Sequence, residues 1–86
     1  MLKYIEGLGN NPSPENLKMV EEEISIANDI IMANNALITE LIKKGRNEAE
    51  DIRIKELRKS IVAEELFIKQ SREIAEKIVE VLGLRR

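Results

Sequence analysis

The sequence lacks cysteine, histidine and tryptophan, and its only aromatic residues are Tyr4 and Phe67. Without cysteine, neither a disulfide framework nor a thiolate metal site can form. Without histidine, the chain has neither the commonest general base nor the commonest metal ligand, and the Glu-x-x-His pairs of a di-iron bundle are impossible. A small fold without disulfides, metal ligands or large aromatic side chains needs long helices or further chains to bury enough apolar surface.

The charge and composition of the 86-residue chain exclude several classes of protein. Hydrophobic residues make up 43% and charged residues 35%, which is typical of a globular chain. The net charge is −2 and its signs are interleaved, so we expect no nucleic-acid partner. The longest weakly charged run, residues 24–39, contains three asparagines and is too short to span a bilayer. No secretory signal is visible, so we expect one soluble domain that stays in the cytoplasm of a cell that makes it.

Helix-capping residues predict a long first helix over residues 14–44. Ser13 is a favourable N-cap and Pro14 suits the first helical position. No glycine or proline interrupts the segment until Gly45, which suits the position just past a helix end. A shorter helix is predicted over residues 2–8, ending at the glycines of that segment.

A second long helix is predicted over residues 47–82. Asn47, followed by Glu50, resembles a capping box, and Gly83 with the apolar Leu84 resembles a Schellman stop. Only Gly45 and Arg46 connect the two long helices, so we expect them to be antiparallel neighbours roughly 45–55 Å long. The predicted fold is therefore an all-α antiparallel hairpin with a short N-terminal helix, one domain over residues 1–86, which assembles into a multi-chain helical bundle.

Both long helices follow seven-residue apolar repeats, which predict left-handed, coiled-coil-like packing. The two rows of the first helix are Leu17, Ile24, Ile31 and Ile38, and Val20, Ala27, Asn34 and Leu41. The main row of the second helix is Ile54, Ile61, Ile68, Ala75 and Leu82, flanked by Leu57, Phe67, Ile74, Ile78 and Val81.

The two helices differ in how much of their circumference is apolar. The second carries charge on most positions outside its stripe, whereas the first places apolar residues around its seam as well as on it. The additional apolar residues of the first helix are Ile26, Ile30, Met32, Ala33, Ala36 and Leu37. Because a helix that is apolar nearly all round must be buried nearly all round, one partner helix is not enough. We therefore expect copies of the chain, or another protein, to pack against an inner first helix, with the second helix outside.

Three asparagines interrupt the apolar run of the first helix. Folding the hairpin at residues 45–46 places polar residues of the second helix within about a turn of them. The predicted buried polar layer consists of Asn28, Asn34, Asn35, Ser60 and Glu64. Because an unpaired buried amide costs roughly 1–3 kcal/mol, such a layer penalises a wrong register or subunit number. In the alternative interpretation, Asn28 and Asn35 lie at a wet groove edge and specify nothing. In either case we expect the seam carboxylate Glu64 to be structural rather than catalytic.

The predicted oligomer interface lies on the first helix. It consists of Ile24, Ala27, Asn28, Ile30, Ile31, Asn34, Asn35, Leu37, Ile38 and Leu41. At the other end of the hairpin, the second helix is expected to overhang the first and expose Ile78, Val81, Leu82 and Leu84. We expect the apolar side of the short N-terminal helix to fold over this overhang; the alternative is a frayed terminus. The residues of that side are Leu2, Tyr4, Ile5 and Leu8.

The helix pattern resembles that of de novo designed helical homo-oligomers. The resemblance covers residues 13–84 and rests on the Ser13-Pro14-Glu15 helix start, the compact turn at residues 45–47, the heptads and the asparagine-bearing helix. Designs of this kind use hairpin subunits with buried hydrogen-bond layers, so the resemblance implies self-assembly into a cyclic oligomer. The departures from idealised hairpin designs are the adjacent Asn34 and Asn35, Met19 and Met32, and the irregular N-terminal segment. These departures also suit a more free-form design procedure, or a natural thermophile protein rich in Ile, Glu and Lys.

These features predict a structural, self-assembling module without catalytic activity. We expect no cofactor, no metal, no membrane and no small-molecule ligand. The expected partner is the chain itself, as a dimer or trimer or as a larger ring. The alternative is a helical binding module that docks its apolar first helix, with Val62 and Leu66, on a different protein.

Overall fold

The computed structural model describes residues 2–45 and 47–83, and this part of the chain contains three α-helices. They are α1 (Leu2–Asn10), α2 (Pro14–Lys43) and α3 (Glu48–Leu82). No residue in the two described ranges belongs to a strand, which confirms the predicted all-α class. The molecule measures 53 × 23 × 16 Å, as two long antiparallel helices require. The predicted multi-chain bundle stays a prediction, because it is not a property of one chain.

The starts of both long helices are capped as the sequence predicts. Ser13 has an extended backbone, and its hydroxyl oxygen accepts a hydrogen bond from the backbone N–H of Asn16 at 3.0 Å. At α3, the Asn47 side-chain oxygen accepts from the backbone N–H of Glu50 at 2.9 Å. Each bond satisfies one of the N–H groups that the first turn of a helix leaves without an intrahelical partner.

The ends of both long helices use glycine at a positive φ. Gly45 follows the C-cap residue of α2, Lys44, and has φ = 88°. Gly83 is itself the C-cap residue of α3 and has φ = 69°. Glycine adopts this left-handed conformation without the steric cost that other residues have, so both predicted stop positions are confirmed. Arg46 and Leu84, which were predicted to complete the turn and the Schellman stop, lie outside the described residues.

α1 is longer than predicted. We expected it to end at residue 8, but the helix continues through Gly9 to Asn10. A glycine inside a helix costs only about 1 kcal/mol relative to alanine, so packing outweighs it. Asn11 closes the helix end, because its backbone N–H donates to the carbonyl of Leu8 and its side-chain amide donates to the carbonyl of Gly7.

The two predicted heptad rows of α2 face α3. In these rows Val20, Ala27 and Ile38 are buried and the other members are half-buried. On α3, Ile54 and Ile68 are buried, while the eleven lysine, arginine and glutamate side chains expected on the solvent face are all exposed. Those charged residues are Lys55, Glu56, Arg58, Lys59, Glu65, Lys69, Arg72, Glu73, Glu76, Lys77 and Glu80. The sequence therefore predicted correctly which side of α2 faces α3 and which side of α3 faces solvent.

α1 docks at the end of the hairpin where α2 begins and α3 finishes. Ile5, Val20 and Ile78 form a fully buried cluster, and partly buried apolar residues pack around it. Those residues are Leu8, Leu17, Ile24, Phe67, Ile74, Ala75 and Leu82. The predicted covering of Ile78 and Leu82 is therefore confirmed, and the alternative of a frayed terminus is wrong for the described residues.

Two details of the predicted covering are wrong. Val81 remains 69% exposed, and Tyr4, which was expected on the apolar side of α1, is also exposed. The buried side of α1 is narrow because a nine-residue helix makes only two and a half turns, and Ile5 and Leu8 supply the contacts to the core cluster.

Candidate interaction surface

α2 carries a second apolar stripe that neither α1 nor α3 covers. Its members recur at steps of seven, four, three and four residues, which places them on one side of a helix. We call this surface the open stripe, and its residues are Met19, Ile26, Ile30, Ala33 and Leu37. The four large side chains among them are between 38% and 51% exposed. At 3.6 residues per turn, the open stripe lies about 100° around the helix from the seam that faces α3.

α1 packs on the same side of α2 as the open stripe. Asn16 belongs to the seven-residue row that continues through Ile30 and Leu37. Its side-chain amide donates to the backbone carbonyls of Asn11 at 2.7 Å and Leu8 at 3.4 Å. α1 and its connecting loop therefore cover the beginning of this side of the helix, and the open stripe continues the same surface beyond them.

The remaining apolar residues of α2 do not belong to the open stripe. Met32 is 69% exposed and lies on the opposite side of the seam, next to the exposed Ala36 in helical projection. Ile42, near the end of the helix, is also 45% exposed. These separate exposed apolar positions make α2 apolar over much of its circumference. Only the open stripe is continuous along the helix.

The structure divides the ten predicted interface residues into three groups. Ala27 and Ile38 are buried against α3 within the same chain, and Ile24, Ile31, Asn34 and Leu41 are half-buried on that seam. Ile30 and Leu37 lie on the open stripe, and Asn28 and Asn35 are exposed on the opposite flank of the seam. Of the ten residues, only Ile30 and Leu37 are both apolar and exposed.

The predicted polar residues are partly brought together. The side-chain amide of Asn34 donates to the Ser60 hydroxyl at 3.1 Å, which links α2 to α3. Folding at residues 45–46 placed residue 57 opposite Asn34, so the observed register differs by three residues, less than one turn. Ser60 is exposed and Glu64 is half-buried.

Asn28 and Asn35 are not enclosed within one chain. Asn28 lies at an open groove between α2 and α3 that is mostly lined by charged residues. The other lining residues are Ile31, Glu65, Ile68, Lys69, Arg72 and Glu73. Asn35 is exposed, and its backbone carbonyl accepts from the Thr39 hydroxyl at 3.0 Å. A closed layer at these two positions requires another chain.

Ser71 is a buried polar residue that the sequence reading missed. Its side chain is fully buried, and its hydroxyl oxygen has no hydrogen-bond partner among the described residues. A signal for it was present, since Ser71 lies seven residues after Glu64 and seven before Ile78 in one heptad row. The sequence analysis did not assign Ser71 to either face, because a small hydroxyl residue carries no charge and little apolar surface.

Val62 and Leu66 form a separate exposed patch on α3. They lie four residues apart, on one side of the helix, and both are more than half exposed. The residues of α3 that face α2, such as Ile54 and Ile68, lie on another side. One flat partner surface therefore cannot contact both this patch and the open stripe.

The described residues form neither a candidate metal-ligand cluster nor a candidate membrane-spanning helix. Residues 2–45 and 47–83 contain no group of three or more acidic side chains placed to hold a metal ion. None of the three helices, over the residues described, has a stretch long and apolar enough to cross a bilayer. The sequence matches no protein-family model, and neither a curated protein nor a solved structure matches the chain.

Proposed function

We propose that this protein is a structural module that assembles with copies of itself into a symmetric helical bundle and performs no catalysis. The observation that carries the proposal is the open stripe. Met19, Ile26, Ile30 and Leu37 stand in one line on α2 and remain about half exposed after α1 and α3 have packed. A continuous apolar surface with polar edges is typical of a protein–protein interface, because its burial removes apolar area from water.

Self-association accounts for the difference between the two long helices. α3 carries charge over most of its outer face and exposes only scattered apolar residues such as Val62 and Leu66, whereas α2 has one seam filled by α3 and a second apolar stripe left open along its length. A dimer or trimer places α2 inside and α3 outside. The exposed Asn28 and Asn35 lie on the flank of the seam opposite the open stripe, so the proposed polar layer around them is completed by a further chain other than the one on the open stripe, as in a trimer or larger ring. The resemblance to designed hairpin oligomers points to the same purpose.

Light scattering of the purified chain at several concentrations tests this proposal. We expect one discrete multiple of 9.8 kDa. Replacing Leu37 by lysine places a charge on the open stripe, and we expect it to reduce the assembly to single chains. Met32→Lys makes a similar change at a more exposed position of the same helix, away from the open stripe, and should leave the assembly intact.

A chain that stays monomeric and cooperatively folded at every concentration would overturn the proposal. That result would favour the alternative, a binding module whose first helix docks on a different protein. Equal effects of Leu37→Lys and Met32→Lys would also count against it, because the open stripe would then have no special role.

A further inference from the structure

We infer that two copies pair directly through α2, antiparallel to each other, with one open stripe against the other. This inference rests on the proposed self-association and adds the partner surface, the direction and the register. In the inferred register Met19 of each chain lies beside Leu37 of the other, and Ile26 beside Ile30. The two-fold axis passes between the positions of Ile26 and Ile30.

The spacing of the open stripe suits this pairing. The open stripe consists of two seven-residue rows. In an antiparallel pair of helices, each row of one chain lies against the other row of the partner chain, so a large residue of one row meets a large residue of the other. Met19 and Ile26 belong to one row, and Ile30 and Leu37 to the other. All four large residues therefore find an apolar partner. The remaining member, Ala33, faces the aliphatic part of the half-buried Glu23.

The distribution of charge along α2 favours the antiparallel direction. The segment from Pro14 to Glu23 contains four glutamates and one lysine, whereas the segment from Thr39 to Lys43 contains one glutamate and one lysine, followed by Lys44. A parallel pair would place the two acidic segments side by side. The antiparallel pair instead brings Glu15 near Lys43 and Lys18 near Glu40 of the other chain.

Two features of the molecule fix the register. Sliding the partner by one heptad in one direction pairs Glu23 with Glu40, which is a repulsive contact between like charges. Sliding it by one heptad in the other direction brings Leu37 of the partner to Pro12, so that the open stripe itself runs onto the loop that joins α1 to α2, whereas in the inferred register only the last turn of the partner's α2 reaches the start of that side. α1 and this loop occupy that side of the helix through the bonds that Asn16 makes to Leu8 and Asn11.

One contact opposes the arrangement, and it is weak. Asp29 lies near the axis in both chains, but it is exposed at the edge of the open stripe. Repulsion between exposed charges is weak and largely screened at physiological salt. The burial of eight large apolar side chains in two copies outweighs it.

Single cysteines test the inference, because the unmodified chain contains none. We would prepare Met19→Cys and Leu37→Cys, mix the reduced variants, oxidise them mildly and identify disulfide-linked dimers by mass. In the inferred register positions 19 and 37 are neighbours, whereas position 19 of one chain lies about 27 Å along the axis from position 19 of the other. A disulfide requires Cα atoms within about 7 Å, so only the mixed dimer can form. We expect it to exceed either homodimer at least tenfold.

The other outcomes separate this inference from the proposed function. Dominant homodimers at both positions would show a parallel arrangement and overturn the antiparallel pairing alone. A discrete oligomer in light scattering without disulfides in any mixture would show that the chains meet elsewhere, which also overturns only the inference. Monomeric wild-type chain would overturn both. Met32→Cys, lying off the stripe, measures the background of random collisions, and light scattering of each reduced variant confirms that it still assembles.

Discussion

A Cβ atom at Gly9 would lie 2.6 Å from Cγ2 of Ile74, so α1 reaches its place against α3 only because position 9 has no side chain. The atom that it would meet is the methyl group on the branched carbon of isoleucine, which has little freedom to rotate away. Gly9 is therefore a contact position and not the helix end that the sequence indicated.

Replacing Gly9 by alanine should weaken the docking of α1. The added methyl group overpacks the contact with Ile74, and such overpacking typically costs about 1–3 kcal/mol. Urea denaturation would measure the lost free energy of unfolding, and hydrogen exchange of the α1 amides would show whether that helix opens.

Gly7 provides a matched control for this change. It lies in the same helix, and a Cβ atom there meets nothing within 4 Å. Gly7→Ala should therefore show only the gain in helix propensity, about 1 kcal/mol of added stability. If the two alanine variants prove equally stable, the close contact between α1 and α3 does not control docking.

Ser71→Ala should raise the free energy of unfolding. The Ser71 hydroxyl is fully buried without a hydrogen-bond partner among the described residues, and a buried unsatisfied group costs roughly 1–3 kcal/mol. Alanine removes the hydroxyl without creating a large cavity. Thermal and urea denaturation of the variant should show a gain in this range.

The exposed Ser25 separates this effect from helix propensity. Ser25→Ala in α2 gains only the propensity difference between serine and alanine, which is at most about 0.7 kcal/mol. The prediction requires a clearly larger gain at Ser71. A loss of stability on Ser71→Ala would mean that the hydroxyl has a favourable partner in solution.

Local chemistry made most of the fold predictable. The caps at Ser13 and Asn47 and the positive φ of Gly45 follow from properties of single residues and their nearest neighbours, so the helix limits were accurate there. The heptad rows predicted which faces meet, because burial along two packed helices repeats every seven residues. Predicting these features requires no knowledge of where α1 packs.

The features that depend on how α1 packs against α2 and α3 were not predictable in the same way. Whether Gly9 ends a helix or allows a close contact depends on how near α3 passes. Only the structure shows which of the extra apolar residues of α2 form the open stripe, because α1 occupies one end of the row that contains Ile30 and Leu37. The sequence predicted that α3 would leave apolar residues of α2 uncovered, but not which ones.

Asn16→Ala should loosen the joint between α1 and α2. The Asn16 side-chain amide donates to two backbone carbonyls, those of Leu8 and Asn11, while its backbone N–H remains available to the Ser13 cap. Each lost hydrogen bond costs about 0.5–1.5 kcal/mol, so we expect a loss of about 1–3 kcal/mol. Hydrogen exchange should become faster in α1 before it does in α2. The exposed Asn35 offers the same substitution outside the joint, and an equal loss for Asn35→Ala would contradict a special role for Asn16.

Asn34→Leu should raise the thermal stability and broaden the distribution of oligomers. Asn34 is half-buried on the seam, where leucine fills the same space with apolar surface, so the unfolding temperature should rise. The Asn34–Ser60 bond, however, favours one register of α2 against α3. A slip of one heptad would place Asn34 beside Phe67 or Arg53 and leave its amide without that partner. Leucine carries no such penalty, so slipped and exchanged hairpins become accessible. Calorimetry and light scattering of the same sample measure the two effects together. A variant that is less stable and assembles like the wild type would show that Asn34 contributes an ordinary hydrogen bond and does not specify the register.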